Sequence, residues 1–397
     1  MINSTINNFK KYIRSLLNKD INNSSLSNNN VVEIKTERKC KGIALISYGN
    51  EYLELRDDDP KFEGHSSKWE SKKIVEIFLN KGFDVDAISP YDTEFVPSKQ
   101  YDIIFDIHYN LCRFEKFISN NTITILHSTG SYPEYAANQE INRVNELMYR
   151  KRAQYTPKRI CDPIYFTRSL KIARFCSLFG TKHTLSTFPN EFQKKIRLLP
   201  VTYSNSILKD LNEPLGKEFL WFYGYGAVHK GLDILLDIFS EKKEYTLNIV
   251  GNIDTEKDFI NIYAKELYSL PNIKYHGFLS PMSNEYKNVI DKCFCFIAPS
   301  CSESTSTAVI TCLNTGLYPI YSRDNGVQLS SNGYLLENCR HKEIENAIKS
   351  VMNKNKNELR NAMLNNRTYV QREHSRERFS IEMDKFIDKA LLNEYSK

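Results

Sequence analysis

No stretch of the sequence approaches the roughly 18 consecutive apolar residues that a membrane span requires. The first residues also lack the small-residue cleavage site that closes a secretory signal. Both absences argue for a water-soluble body that is not exported. None of the nine cysteines forms a CxxC pair, the spacing that wraps a zinc ion. Scattered mostly in apolar runs, Cys40, Cys112, Cys161, Cys176, Cys293, Cys295, Cys301, Cys312 and Cys339 read as reduced, packed thiols of a cytosolic protein. Neither charge sign dominates: 54 Lys and Arg face 48 Asp and Glu, and a formal charge of +6 is too diffuse for nucleic-acid binding. A complete glycine fingerprint after a first strand is missing too, since Ser47-Tyr-Gly-Asn50 is too sparse, which disfavours a dinucleotide oxidoreductase.

At 397 residues the chain exceeds what one core comfortably supports, so two domains are expected. Residues 1–40 are rich in Asn, Ser and Lys, and 22–30 have almost nothing to bury, as in a flexible extension. Within it, Ile6, Phe9, Ile13, Leu16 and Leu17 recur at helical spacing with Lys10, Lys11, Arg14 and Lys19 largely elsewhere. This pattern is compatible with a weak membrane-surface anchor and also with a helix docked on the protein itself.

From residue 41 short apolar runs alternate with longer amphipathic ones. Strands are expected at 42–47, 83–88, 101–107 and 122–126, with a helix around Trp69 to Phe78 stopped by Gly82. The alternation restarts near 217, with strands at 219–223, 245–250, 273–276, 293–297 and 317–321 and helices at 232–239, 258–267 and 307–314. The implied fold is α/β: two Rossmann-like domains, 41–205 and 217–375, each a parallel sheet covered on both faces. A last amphipathic helix, within 378–397, could cross back to the first domain.

In open parallel sheets ligands sit outside the carboxyl ends of the strands. There, Gly224-Tyr-Gly-Ala-Val-His-Lys-Gly231 follows a strand and opens a helix. Its glycines let backbone approach a phosphate, the helix start offers free amides, and Lys230 adds a full positive charge, although a plain strand-to-helix turn would look similar. A second segment, Ala298-Pro-Ser-Cys-Ser-Glu-Ser-Thr-Ser-Thr-Ala-Val-Ile310, offers hydroxyls and amides at another helix start, with Glu303 as an acceptor for a ligand hydroxyl. Taken alone, it could also be an N-cap with a solvated glutamate.

In order and separation these two segments resemble the group 1 glycosyltransferase family, which has the GT-B fold. The first is similar to that family's phosphate loop with its Lys-Gly pair. The second resembles the EGxxxPxxxE-type donor motif, Glu303 matching the leading glutamate, and Gly316-Leu-Tyr-Pro-Ile320 resembles the strand that follows. The likeness covers about 218–325 well and the first half loosely, through Gly64-His-Ser-Ser-Lys-Trp-Glu-Ser71 and His127-Ser-Thr-Gly130. Three positions depart from the pattern: Tyr225 replaces the loop arginine, Ser304 the glycine after the leading glutamate, and Thr311 the second glutamate that often holds the ribose.

The resemblance implies a retaining transfer of sugar from a nucleotide diphosphate sugar to an acceptor hydroxyl, with the donor as substrate and no metal or other cofactor. Lys230, with the loop amides, would stabilise the leaving diphosphate; Glu303 would orient the sugar; His127 would face the reacting centre across the cleft, although a lone histidine is also a common structural hydrogen-bonder. Donor contacts are expected from Gly224, Tyr225, Gly226, His229, Lys230, Ser302, Ser304, Thr305, Ser306, Thr307 and Thr311. His65 and His108 are weaker candidates that would serve local loops.

The run Asp57-Asp-Asp59 suggests a metal site but reads better as a solvated acidic loop. Arg143, Arg150, Lys151, Arg152, Lys158 and Arg159 form a basic cluster that suits either a solvated helix face or an anionic lipid or phosphorylated acceptor. The acceptor expected from family habit is a glycan or lipid-linked sugar in surface-polysaccharide or glycolipid assembly, at the cytoplasmic face of a membrane. A sugar-nucleotide epimerase and a catalytically silent sugar-nucleotide-binding relative share the fold and stand as alternatives.

Overall fold

The computed structural model describes residues 31–56, 59, 61–62, 66–329 and 332–392. The amphipathic segment at 6–17, Asp57, Asp58, Gly64 and His65 lie outside them.

The first sheet holds β1 (Val32–Ile34), β2 (Gly42–Ser47), β3 (Phe83–Ile88), β4 (Ile103–Asp106), β5 (Ile123–Ser128), β6 (Phe175–Phe179) and β7 (Ile196–Leu199), in the order β1-β3-β2-β4-β5-β6-β7. All neighbours are parallel except β1, which runs antiparallel to β3 with Val32 opposite Ala87 and Ile34 opposite Val85. This strand corrects the expectation that residues up to 40 form only a flexible extension. Its branched residues suit an edge strand, and Thr36 fixes it by donating its hydroxyl to the Leu79 carbonyl (2.7 Å) and its amide to Asp84 (2.9 Å). Helices α1 (Ser66–Asn80), α2 (Pro133–Lys151) and α3 (Pro163–Ile172) accompany the sheet.

The second sheet is wholly parallel: β8 (Glu218–Phe222), β9 (Leu247–Val250), β10 (Ile273–Tyr275), β11 (Cys293–Ala298), β12 (Tyr318–Ser322) and β13 (Tyr334–Leu336), in the order β10-β9-β8-β11-β12-β13. Its helices are α4 (Leu232–Glu241), α5 (Lys257–Ser269), α6 (Asn284–Ile290), α7 (Thr307–Thr315), α8 (His341–Met352) and α9 (Lys356–Glu373). Every residue of β11 is buried, as its unbroken run of apolar residues requires of a central strand covered on both faces. β8 and β11 lie side by side, and from them the chain leaves toward opposite edges of the sheet. Their carboxyl ends therefore open a crevice at the point where the strand order reverses.

The final helix, α10 (Arg376–Leu391), returns to the first domain. Phe379 sets its ring against Trp69 and Phe179, with centroids 6.0 and 6.1 Å apart, and Lys81 pairs with Asp384 and Asp388. Burying an aromatic of this size stabilises by about 1.5–3 kcal/mol. One apolar core includes residues of α1, of α10 and of the second sheet. Among the described residues no helix is long and apolar enough to cross a membrane.

Most of the basic cluster is neither a solvated face nor free to meet an anionic lipid, Arg152 and Arg159 being the exposed members. Arg150 binds Asp233 (2.5 Å) and Asp237 (3.2 Å), Lys151 binds Asp237 (2.7 Å) and Glu266 (3.4 Å), and Lys158 binds Asp258 (2.7 Å). Arg143 is buried and donates to the carbonyls of His229 (3.3 Å) and Pro299. The acids belong to α4 and α5, so the end of α2 clamps the two domains together. Asp233 is wholly enclosed: burial pushes its carboxyl up, and Arg150 opposes that push by offering the counter-charge a buried carboxylate needs. Only Arg152 of this helical stretch remains exposed without such a role.

Candidate functional site

The crevice of the second sheet is built from the loops that follow β8 and β11. In the first, Gly226 (φ 98°) and Gly231 (φ 75°) occupy the left-handed region. A Cβ on Gly231 would fall 2.7 Å from the Pro299 carbonyl oxygen, so glycine is what lets the second loop pass. The turn closes on itself through Lys230 N–H to Gly226 O (2.8 Å) and Leu232 N–H to Ala227 O (2.9 Å).

Two of the loop amides expected to cradle phosphate are already taken. Glu256 accepts from Gly226 N–H (2.7 Å) and Ala227 N–H (3.1 Å) through Oε1, and from the Tyr155 hydroxyl (2.9 Å) through Oε2. The residue was not singled out from sequence, although its place in the loop after β9, beside the β8 loop at the same sheet edge, was the available signal. Tyr225 is half exposed beside these amides, and Gly224 has open space where a Cβ would stand.

The structure brings Lys230, His229 and Glu303 together. Lys230 Nζ contacts Glu303 Oε1 and lies 5.0 Å from the centroid of the Tyr223 ring. Ser300 Oγ donates to the same Glu303 oxygen (2.8 Å). Burial, and then the charge of Arg159, pull the Lys230 ammonium down, while Cys301 and Glu140 oppose them. His229 Nε2 lies 2.6 Å from Ser302 O and therefore carries the proton of that contact; Nδ1 faces Glu140 at 3.3 Å. Burial pulls His229 down to about 4 against the raising influence of Glu140.

The hydroxyls of the second loop serve structure more than they face the crevice. Ser302 Oγ meets Ser131 Oγ, and Ser304 Oγ donates to Thr129 O (2.7 Å), both on the first domain. Thr305 Oγ1 donates to Gly326 O (3.1 Å). Ser306 caps α7 by accepting from Val309 N–H, and its own amide donates to Asn325 O (2.9 Å). Thr307 opens the helix and is partly buried. Thr311 donates back to Thr307 O (2.9 Å), which leaves its oxygen to meet a ligand hydroxyl as an acceptor.

His127 is not on the cleft. β5 runs two residues further than expected and carries His127 into the ladder opposite Ser177. Its side chain is wholly buried among Tyr48, Phe105 and Phe179, the last at 4.3 Å between centroids. Nδ1 lies 2.8 Å from Ser177 Oγ, while the buried Nε2 has no partner. Burial alone holds the imidazole down to about 3. His108, at the end of β4, stacks with Tyr91 (5.3 Å) and Tyr109 (5.9 Å); Tyr91 is well exposed.

Between the domains lies a polar cavity of ≈ 260 Å³, walled by Tyr135, Arg143 and His183 from the first domain and by Ser300, Asp324 and Cys339 from the second. Asp324 accepts from Tyr135 (2.7 Å) and from His183 (3.0 Å) across the gap. Among the described residues no group of three or more His, Cys, Asp or Glu could hold a metal ion.

Residues 204–368 match the family model described as Glycosyl transferases group 1. No curated protein matches the chain. Among solved structures the chain is similar to sucrose-phosphate synthase from Thermosynechococcus elongatus, with a TM-score of 0.61 at 14% identity over 90% of this chain and 100% of that one. It is also similar to Anabaena HepE in complex with UDP and glucose, with a TM-score of 0.54 at 11% identity over 88% and 99% of the two chains. At these identities the likeness is one of fold, the GT-B arrangement of two Rossmann-like domains.

Proposed function

We propose, from the premise that residues 204–368 of this chain are a group 1 glycosyltransferase domain, that the enzyme moves a sugar from a nucleoside diphosphate sugar to an acceptor hydroxyl. The observation that carries the reading is the meeting of Lys230 and Glu303 where the loops after β8 and β11 flank the crossover of the second sheet. The HepE structure, which holds UDP and glucose, supports a donor of this class.

As the glycosidic bond to the diphosphate breaks, negative charge grows on the leaving oxygen and positive charge on the sugar. Lys230 is placed to stabilise the first, and it needs no metal to do so, because a cation in a water-poor site acts without solvent reorganisation. Glu303, held by Ser300, would accept from a hydroxyl of the transferred sugar in exchange for part of its contact with Lys230. The family resemblance supports retention at the anomeric carbon. His127, enclosed beneath the cleft, would act by holding the end of β5 in place rather than by touching the donor.

The acceptor would enter over the first domain, where Tyr91, exposed and set against His108, offers an aromatic surface suited to a sugar ring. A glycan or lipid-linked acceptor of surface-polysaccharide or glycolipid assembly, met at the cytoplasmic face of a membrane, fits this reading.

Thermal melting of the full chain with UDP, ADP, GDP and dTDP and their sugar conjugates tests the donor class, because a ligand of the native state raises its stability. A rise with one nucleotide family, lost in Lys230→Ala, is the expected result. No rise with any of them sinks the reading.

A further inference from the structure

The segment that follows α2 ends in a cation with no acid to neutralise it. The backbone amides of Lys158 and Arg159 both donate to the Glu140 carboxylate, at 2.7 Å for Lys158 and 3.1 Å for Arg159. Held this way, the Arg159 side chain lies along the β8 loop: a Cβ built on Gly226 would fall 2.7 Å from Arg159 Cδ. The bare α-carbon of Gly226 is thus what allows the arginine to rest there. Three neighbours of like charge are paired with acids, Lys158 with Asp258, and Arg150 and Lys151 with Asp233, Asp237 and Glu266. Arg159 is exposed and, among the described residues, makes no ion pair.

Its charge acts on both walls of the crevice. It pulls down Lys230 and His229 in the second domain, and it also acts on Tyr91 in the first. Two cations brought close repel, and one acid, Glu303, is shared between Lys230 and its hydroxyl partner. A site that keeps a surplus guanidinium beside a buried ammonium is matched to an anion of more than one charge.

We propose that Arg159 is a second diphosphate-binding group, supplied by the first domain, which grips the donor's diphosphate together with Lys230 of the second. The proposal rests on the nucleotide-sugar reading of the crevice. The planar guanidinium fork suits two phosphate oxygens at once, a task for which an ammonium is only a point charge. Its backbone anchor runs through Glu140 to His229 and from there to the Ser302 carbonyl, so the guanidinium stands over the loop only while the two domains are together. The diphosphate is then held from both sides, and its presence favours the closed arrangement.

Calorimetric titration of the full chain with UDP, ADP, GDP and dTDP, and with the matching monophosphates, tests this. For the nucleotide that binds, Arg159→Ala is expected to weaken the diphosphate about tenfold and the monophosphate by less than about threefold, as loss of one charge-assisted contact to the outer phosphate would. Arg159→Lys should recover part of the loss, and the melting temperature of both variants should stay at the wild-type value. Unchanged diphosphate affinity in Arg159→Ala, or equal losses for the two nucleotides, overturns the proposal. If Lys230→Ala abolishes binding while Arg159→Ala does not, the donor site stands and Arg159 alone is removed from it. A wild-type protein that binds none of the diphosphates overturns both.

Discussion

The loops after β8 and β11 flank the same crossover and are assembled in opposite ways. Loop 224–231 closes on itself and on Glu256, and only its lysine projects a charge across to its neighbour. Loop 299–306 spends its hydroxyls on other protein groups, two of them on the first domain, where Ser302 meets the Ser131 hydroxyl and Ser304 the Thr129 carbonyl. The first loop is a rigid mount for one cation; the second registers whether the domains are closed. Two segments that look alike in sequence, each rich in small residues and each at a helix start, therefore have separate duties.

Lys230→Ala should produce the largest effect, a loss of turnover of about 10²–10³-fold, or roughly 3 kcal/mol of transition-state stabilisation, read as kcat/KM with the donor that the melting screen selects. Should Ser304→Ala cost as much, the division between the loops is wrong. Glu256→Ala comes next. It leaves two buried amides and the Tyr155 hydroxyl without an acceptor, and a stability loss of about 1–3 kcal/mol is expected in denaturant titration, with Glu256→Gln losing less. If Glu256→Ala melts like wild type, the loop does not depend on its carboxylate cap.

His127 supplies a pH test. Its folded value, about 3, lies below its ordinary 6.5. As pH falls below 6.5 the unfolded chain takes up a proton that the folded chain refuses. Stability contributed above pH 6.5 is thus lost progressively toward pH 3, at about 1 kcal/mol per pH unit. His229, held to about 4, adds to the same slope. His127→Leu should flatten the fall in denaturation midpoint between about pH 6 and 4 by about one proton's worth. An unchanged slope would mean that the imidazole is not enclosed. The smallest effect is expected from Ser304→Ala, which removes one hydrogen bond across the cleft and should change donor affinity by no more than about 1 kcal/mol.

The central strands of both sheets were legible, because buried strands such as 293–298 are unbroken apolar runs set between amphipathic segments, whereas β6, β7 and β13 were not expected. The mutual placement of Lys230 and Glu303 was legible as well, since each stands in a loop at a strand's carboxyl end. What local pattern could not show is pairing at a distance. Glu256 reads as one more surface acid until the β9 loop is laid beside the β8 loop, and Arg150 and Lys151 read as a basic face until α4 presents its aspartates. His127 shows how much two residues matter. A strand ending at 126 would release the imidazole toward the cleft, whereas one ending at 128 folds it into the core. The edge strand β1 was hidden by the polar residues that precede it.

The crossing of α10 onto the first domain bears on how the chain is made. Synthesis runs from the first residue to the last, and the first domain emerges early with Trp69 and Phe179 still facing water. The helix that covers them is made only after the whole second domain. The first domain must therefore wait, incompletely packed, until the second has been made, and its sticky surface is open to chaperones for that time.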